Sequence, residues 1–190
     1  MRLKIEFILA ALAITLSPLA PLAGETKVSK NVLQEPFLVA GFLVRTNNTV
    51  EGSGLGKIGP LWQRFYKDNL GGRIPDRADS ALTVVYSDYA SDEKGDYDYL
   101  LGARVTSVDH LPAGMNWKKV QPGTYAVFPT EAGQIPGVLQ AAWRRIWQMP
   151  VGTMGGKRAF LTDYEIYDAR SANPERAQVE IHIGLAPDSN

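Results

Sequence analysis

Leu161-Thr162-Asp163-Tyr164-Glu165-Ile166-Tyr167-Asp168 is the segment around which the chain is organised. It alternates, so it reads as a β-strand. One face carries Leu161, Asp163, Glu165 and Tyr167, and the other carries Thr162, Tyr164, Ile166 and Asp168. Parity alone does not say which face is inside. An internal repeat does.

Leu61-Trp62-Gln63-Arg64-Phe65-Tyr66 resembles Ala142-Trp143-Arg144-Arg145-Ile146-Trp147, with the tryptophans at positions 62 and 143, 81 apart. The same spacing places Tyr86 on Tyr167 and Val84 on Glu165. The hairpin from Tyr86 to Gly102 then matches Tyr167 to His182 within a residue or so. A period this long is not a solenoid repeat. It predicts two strand–helix–strand–strand half-domains around one core. Leu82, Val84 and Tyr86 form an apolar stripe, so that face points inward, and Glu165 inherits the direction from its valine twin. An unpaired buried carboxylate is expensive and tends to hold its proton. Such a group is either functional or satisfied by a core Tyr, Trp or Arg, and spacing leaves both readings open.

Working outward, the first half offers a strand from Pro36 to Thr46, a mobile Asn/Gly-rich loop from Asn47 to Gly59, and a helix from Pro60 to Asn69. Strands follow at Ala81–Tyr89 and Tyr97–Ser107. The second half repeats this with strand pieces at Asn116–Val120 and Thr124–Phe128, a helix from Gly137 to Gln148, the Glu165 strand, and a last strand from Ala177 to Leu185. The charged turn Ser91–Asp96 lacks the spacing of a calcium loop. Gly155-Gly156-Lys157 lacks that of a phosphate loop.

With 190 residues, 45% hydrophobic and 21% charged, the chain has enough apolar material for one sizeable core. Formal net charge is zero and no basic patch stands out, which disfavours nucleic acid as a partner. There is no cysteine, and His110 and His182 are the only imidazoles, so no metal and no cofactor are assigned. His182 alternates with Val179, Ile181 and Ile183, which puts it on the opposite face, solvated or satisfied by neighbours. Residues 1–24 read as a secretory signal peptide: Arg2 and Lys4, an apolar run from Phe7 to Leu16 too short to span a bilayer, then Pro18, Pro21 and small residues. The expectation is a periplasmic or secreted protein with no stable membrane anchor. Residues 25–35 read as a flexible leader and 36–186 as a single domain, with half-repeats at about 36–110 and 115–186.

The ordered series Trp62-Gln63-Arg64-Phe65, Tyr86-Ser87-Asp88-Tyr89, Gly95-Asp96-Tyr97-Asp98-Tyr99, Leu111-Pro112-Ala113-Gly114, Pro122 to Phe128, Trp143 to Trp147, and Asp163-Tyr164-Glu165-Ile166-Tyr167 resembles the GyrI-like effector-binding superfamily. That is the small-molecule-binding domain of AraC- and MerR-type regulators. The resemblance implies an α+β fold of duplicated βαββ half-domains. An antiparallel sheet would carry two helices packed over it, with a pocket between the halves. It also implies a binding role for Glu165, since family members that bind cationic drugs use a Glu at the matching position.

Two readings of function follow. In the first, a small hydrophobic or cationic compound binds a pocket with Glu165 as its acid and Trp62, Phe65, Tyr125, Trp143, Trp147 and Tyr167 as aromatic walls. In the second, the resemblance to ring-opening hydrolases implies Glu165 as general base and Tyr125 as proton donor. A protein partner in the same cleft is a third use. The binding module is the reading preferred here, since a fold does not fix a chemistry.

Overall fold

The computed structural model describes residues 30–187. The signal-peptide reading and residues 25–29 lie outside them. Eight strands form one sheet: β1 (Lys30–Gln34), β2 (Phe37–Thr46), β3 (Leu82–Ser87), β4 (Tyr97–Val105), β5 (Asn116–Val120), β6 (Gly123–Pro129), β7 (Arg158–Tyr167) and β8 (Glu180–Leu185). Three α-helices accompany them: α1 (Asn48–Gly52), α2 (Ile58–Lys67) and α3 (Gly137–Gln148).

The sheet order is β1-β6-β8-β7-β3-β4-β2-β5, with every pairing antiparallel. Read from the centre, β3-β4-β2 mirrors β7-β8-β6, so the duplication is a pseudo-two-fold. Its axis passes between Val84 and Glu165, the repeat twins, which face each other across β3 and β7. The leading strands are exchanged. β5 opens the second half yet pairs with β2, and β1 opens the first yet pairs with β6.

This exchange contains a correction. Residues 30–34, read from sequence as leader, are an edge strand whose polar composition hid it; Val32 packs inward and Gln34 Oε1 accepts from the Tyr164 hydroxyl. Only two residues separate β5 from β6, so the sheet must fold back on itself. The fold encloses a second, smaller core of Val39, Val85, Leu100, Val120, Tyr125 and Tyr164. His182 lies on this side too. It is buried rather than solvated, and stacks on Tyr164 at 4.3 Å. Burial holds its imidazole pKa down to about 4, against the pull of Glu180.

The larger core lies between the other side of the sheet and the helices. Leu61 and Phe65 of α2, and Leu139, Ala142, Trp143 and Ile146 of α3, recur at helical spacing and are buried there. The chain leaves α2 at Asn69, in the left-handed region (φ 48), before Gly71-Gly72. It leaves α3 at Met149, held extended by Pro150. The predicted loop 47–59 contains α1. Its Glu51 carboxylate accepts from the Lys57 and Ile58 N–H groups at 2.9 and 3.3 Å, capping α2 from outside.

Gly41 and Gly102 pair across β2 and β4. A Cβ on Gly102 would lie 1.9 Å from the Ala40 carbonyl oxygen, a backbone atom that cannot step aside. Gly102→Ala is expected to destabilise the fold by about 3 kcal/mol, the upper end of the overpacking range. Urea denaturation reads this directly; an unchanged midpoint would contradict the register.

Candidate functional site

Glu165 lies two residues before the end of β7, 2% exposed, on the side covered by the helices. Three neutral donors hold it. Tyr86 donates its hydroxyl to Oε1 at 2.9 Å, and the Trp143 indole N–H donates to the same oxygen at 2.6 Å. Tyr167 donates to Oε2 at 2.6 Å. Tyr86 and Tyr167 are repeat twins, so the pseudo-two-fold delivers one hydroxyl to the acid from each half. Trp62, the twin of Trp143, finds a valine where its acid would be. Its indole N–H goes instead to the Tyr99 hydroxyl at 2.7 Å.

Burial pushes the Glu165 carboxyl above its ordinary range, and the bonds from Tyr167, Trp143 and Tyr86 only partly offset this. The acid raises its neighbours in turn: burial first, then its charge, hold the Tyr86 and Tyr167 hydroxyls protonated. No Arg or Lys is hydrogen-bonded or ion-paired to Glu165 among the described residues. The acid is therefore satisfied by hydrogen bonds and uncompensated in charge.

Rings close around it. Tyr86 lies 5.0 Å from Trp143 and 5.1 Å from Tyr99, and Trp62 lies 5.1 Å from Tyr167. Trp147 stands against Trp143, 40% exposed, and its twin Tyr66 stacks on Trp62. Where a pocket between the halves is expected, the structure has a packed aromatic cluster. Two surface clefts of the described residues, about 280 and 310 Å³, lie elsewhere: one beside Trp117 and Leu161, the other between α2 and β2.

Of the predicted residues, Trp143 and Tyr167 touch Glu165, and Trp62 and Trp147 form the next ring. Phe65 lies behind Trp62 as core, 2% exposed. Tyr125 does not belong. It packs on Tyr164, whose side chain leaves β7 on the opposite side to Glu165. Its hydroxyl donates to the Gln121 carbonyl at 2.8 Å and lies 2.6 Å from Thr162 Oγ1. The sheet thus stands between the two members of the supposed hydrolytic pair.

Sequence reading missed a second buried acid. Asp163, 0% exposed, shares the side of Glu165. It binds the Arg158 guanidinium at 2.6 Å and accepts from the Tyr89 hydroxyl at 2.6 Å and the Gly184 N–H at 2.9 Å. A bulge between Arg158 and Asp163 displaces the register of β7 against β8. The Arg158 guanidinium stands 4.3 Å from the Phe160 ring centre, 5.6 Å from Tyr89 and 5.7 Å from Trp143.

The family profile of integron-associated effector-binding proteins (Cass2) matches residues 32–185. Among solved structures, an integron cassette protein from the mobile metagenome of Vibrio cholerae is 30% identical, with a TM-score of 0.63 over 83% of this chain and 95% of that one. YobU of Bacillus subtilis (strain 168) is 29% identical over 147 residues, 77% of this chain and 90% of its own. The fold also matches SAV2435 bound to tetraphenylphosphonium, at 13% identity and a TM-score of 0.67 over 83% of this chain and 93% of that one.

Proposed function

Because the chain belongs to the family of integron-associated effector-binding proteins, we propose that it binds a small lipophilic cation at Glu165. The observation that carries this reading is a buried carboxylate whose partners are two tyrosines and one tryptophan, all neutral. Such an acid in an aromatic surround lacks only a positive charge. A cation supplies it, and ring faces contribute about 0.5–2 kcal/mol each. A neutral ligand of the same shape leaves the charge unpaired, which is the basis of selectivity. The tetraphenylphosphonium held by SAV2435, on the same fold, is a ligand of this class. We further propose that residues 1–24 direct export, which amino-terminal sequencing of the protein from fractionated cells would test.

Titration of the tryptophan fluorescence with tetraphenylphosphonium is expected to give saturable quenching. The pH dependence has a definite sign. In the empty protein the raised Glu165 carboxyl keeps its proton to a higher pH than usual. A bound cation favours the ionised form, so binding releases a proton in the window between the two pKa values. Affinity therefore rises with pH up to the raised value, by up to about tenfold per unit, and then levels. Affinity that is flat or falls with pH would contradict the reading.

A further inference from the structure

Arg158 is a positive charge in a setting of aromatic rings and a carboxylate, which is the chemistry proposed above for the ligand. Its cage consists of Phe160, Tyr89 and Trp143, and its counter-ion is Asp163. Trp143 is common to both sites: its indole N–H holds Glu165, and its face lies 5.7 Å from the guanidinium. Asp163 and Glu165 are two residues apart on the same side of β7, which places them about 7 Å apart along the strand.

The Glu165 oxygens are reached only by moving a ring, since Tyr86, Tyr167 and Trp143 occupy them. Tyr86 and Tyr167 belong to the two central strands of the sheet. The Trp143 ring also lies 5.7 Å from the guanidinium of Arg158, whose side chain is 10% exposed and so reaches the solvent. Arg158 follows a glycine-containing segment with left-handed positions at Gly152 and Gly155. Phe160 is left-handed as well (φ 52), a conformation costly for a residue with a side chain. The cage therefore includes a strained position, Phe160, and lies beside Trp143, which shields Glu165 and faces the guanidinium.

We infer that cation binding is an exchange: the ligand enters as the Arg158 guanidinium leaves its cage for solvent. The inference rests on the proposed cation site. One positive charge enters beside Glu165 as another leaves Asp163, about 7 Å away along the strand, so the pair of buried acids keeps the same total of positive charge near it. Binding of a cation with Arg158 still in place would instead crowd two positive charges around Trp143. Arg158 is thus a specificity-determining residue. It is an internal competitor that only a ligand carrying its own charge can replace.

The test is side-chain ¹⁵N–¹H NMR of the full wild-type chain titrated with tetraphenylphosphonium. In the empty protein the Arg158 Nε–H is expected to be shifted by the ring currents and slow to exchange. At saturation both signatures should disappear. In Arg158→Met, which keeps the aliphatic stem, affinity should rise about tenfold or more. Saturable binding that is lost in Glu165→Gln but leaves the Arg158 resonance unmoved would overturn the exchange alone. Absence of any cation binding would remove the site reading and this one together. The wild-type spectrum decides the matter even if Arg158→Met does not fold.

Discussion

Glu165→Gln is expected to lower affinity for tetraphenylphosphonium by about two orders of magnitude, roughly 3 kcal/mol, the scale for removing one partner of a buried charge pair. The variant should remain folded. A glutamine carbonyl can accept from Trp143 and Tyr86, and its amide can donate to the Tyr167 oxygen, so the three partners keep their bonds. It should also unfold no more easily than the wild type at neutral pH. The folded protein raises the carboxyl above its unfolded value. It therefore binds more protons than the unfolded chain in that window, and stability falls as pH rises through it. Glutamine does not titrate and escapes that loss. Glu165→Val makes a useful contrast because it restores the repeat's symmetry. It strands three buried donors at about 1–3 kcal/mol each, and should fold poorly where the glutamine variant does not. Fluorescence titration and urea denaturation of the two variants check both halves of this argument. A glutamine variant with wild-type affinity would remove the acid from the site.

The second large effect is on stability. Asp163→Ala should destabilise the protein by about 3–5 kcal/mol, because it leaves the caged Arg158 guanidinium without its counter-charge. It also removes the acceptor of the Gly184 N–H beside the bulge. Pairing the change with Arg158→Met should recover much of the loss, since neither charge is then left alone. A single variant within about 1 kcal/mol of wild type would contradict a stabilising pair at a buried aspartate. So would a double variant no better than Asp163→Ala.

The repeat made much of this readable in the sequence. Equal spacing of Trp62 and Trp143, and of Val84 and Glu165, fixed the two halves, the inward face of β7 and the acid on it. The same spacing carries Tyr86 onto Tyr167, and would have put Tyr86 in the site had the twins been followed through. What failed was any step beyond local pattern. Tyr125 faces the smaller core, and strand parity cannot say which of two cores a residue faces when a sheet folds back. Lys30–Gln34 escaped because an edge strand needs few apolar residues. Asp163 was on the correct face in plain sight. Arg158, its partner, lies beyond a bulge, and a bulge breaks the two-residue alternation on which the reading depended. The closed state of the cluster had no signal in the sequence, since the same aromatic residues line a cavity or fill one.

One buried carboxyl, hydrogen-bonded by neutral groups and paired with no Arg or Lys among the described residues, awaits a positive charge. Carbon-13 NMR of the Glu165 side-chain carboxyl across pH measures this directly. A titration above the ordinary glutamate range is expected in the empty protein, displaced downward when tetraphenylphosphonium is added. An ordinary midpoint that the cation does not move would contradict it.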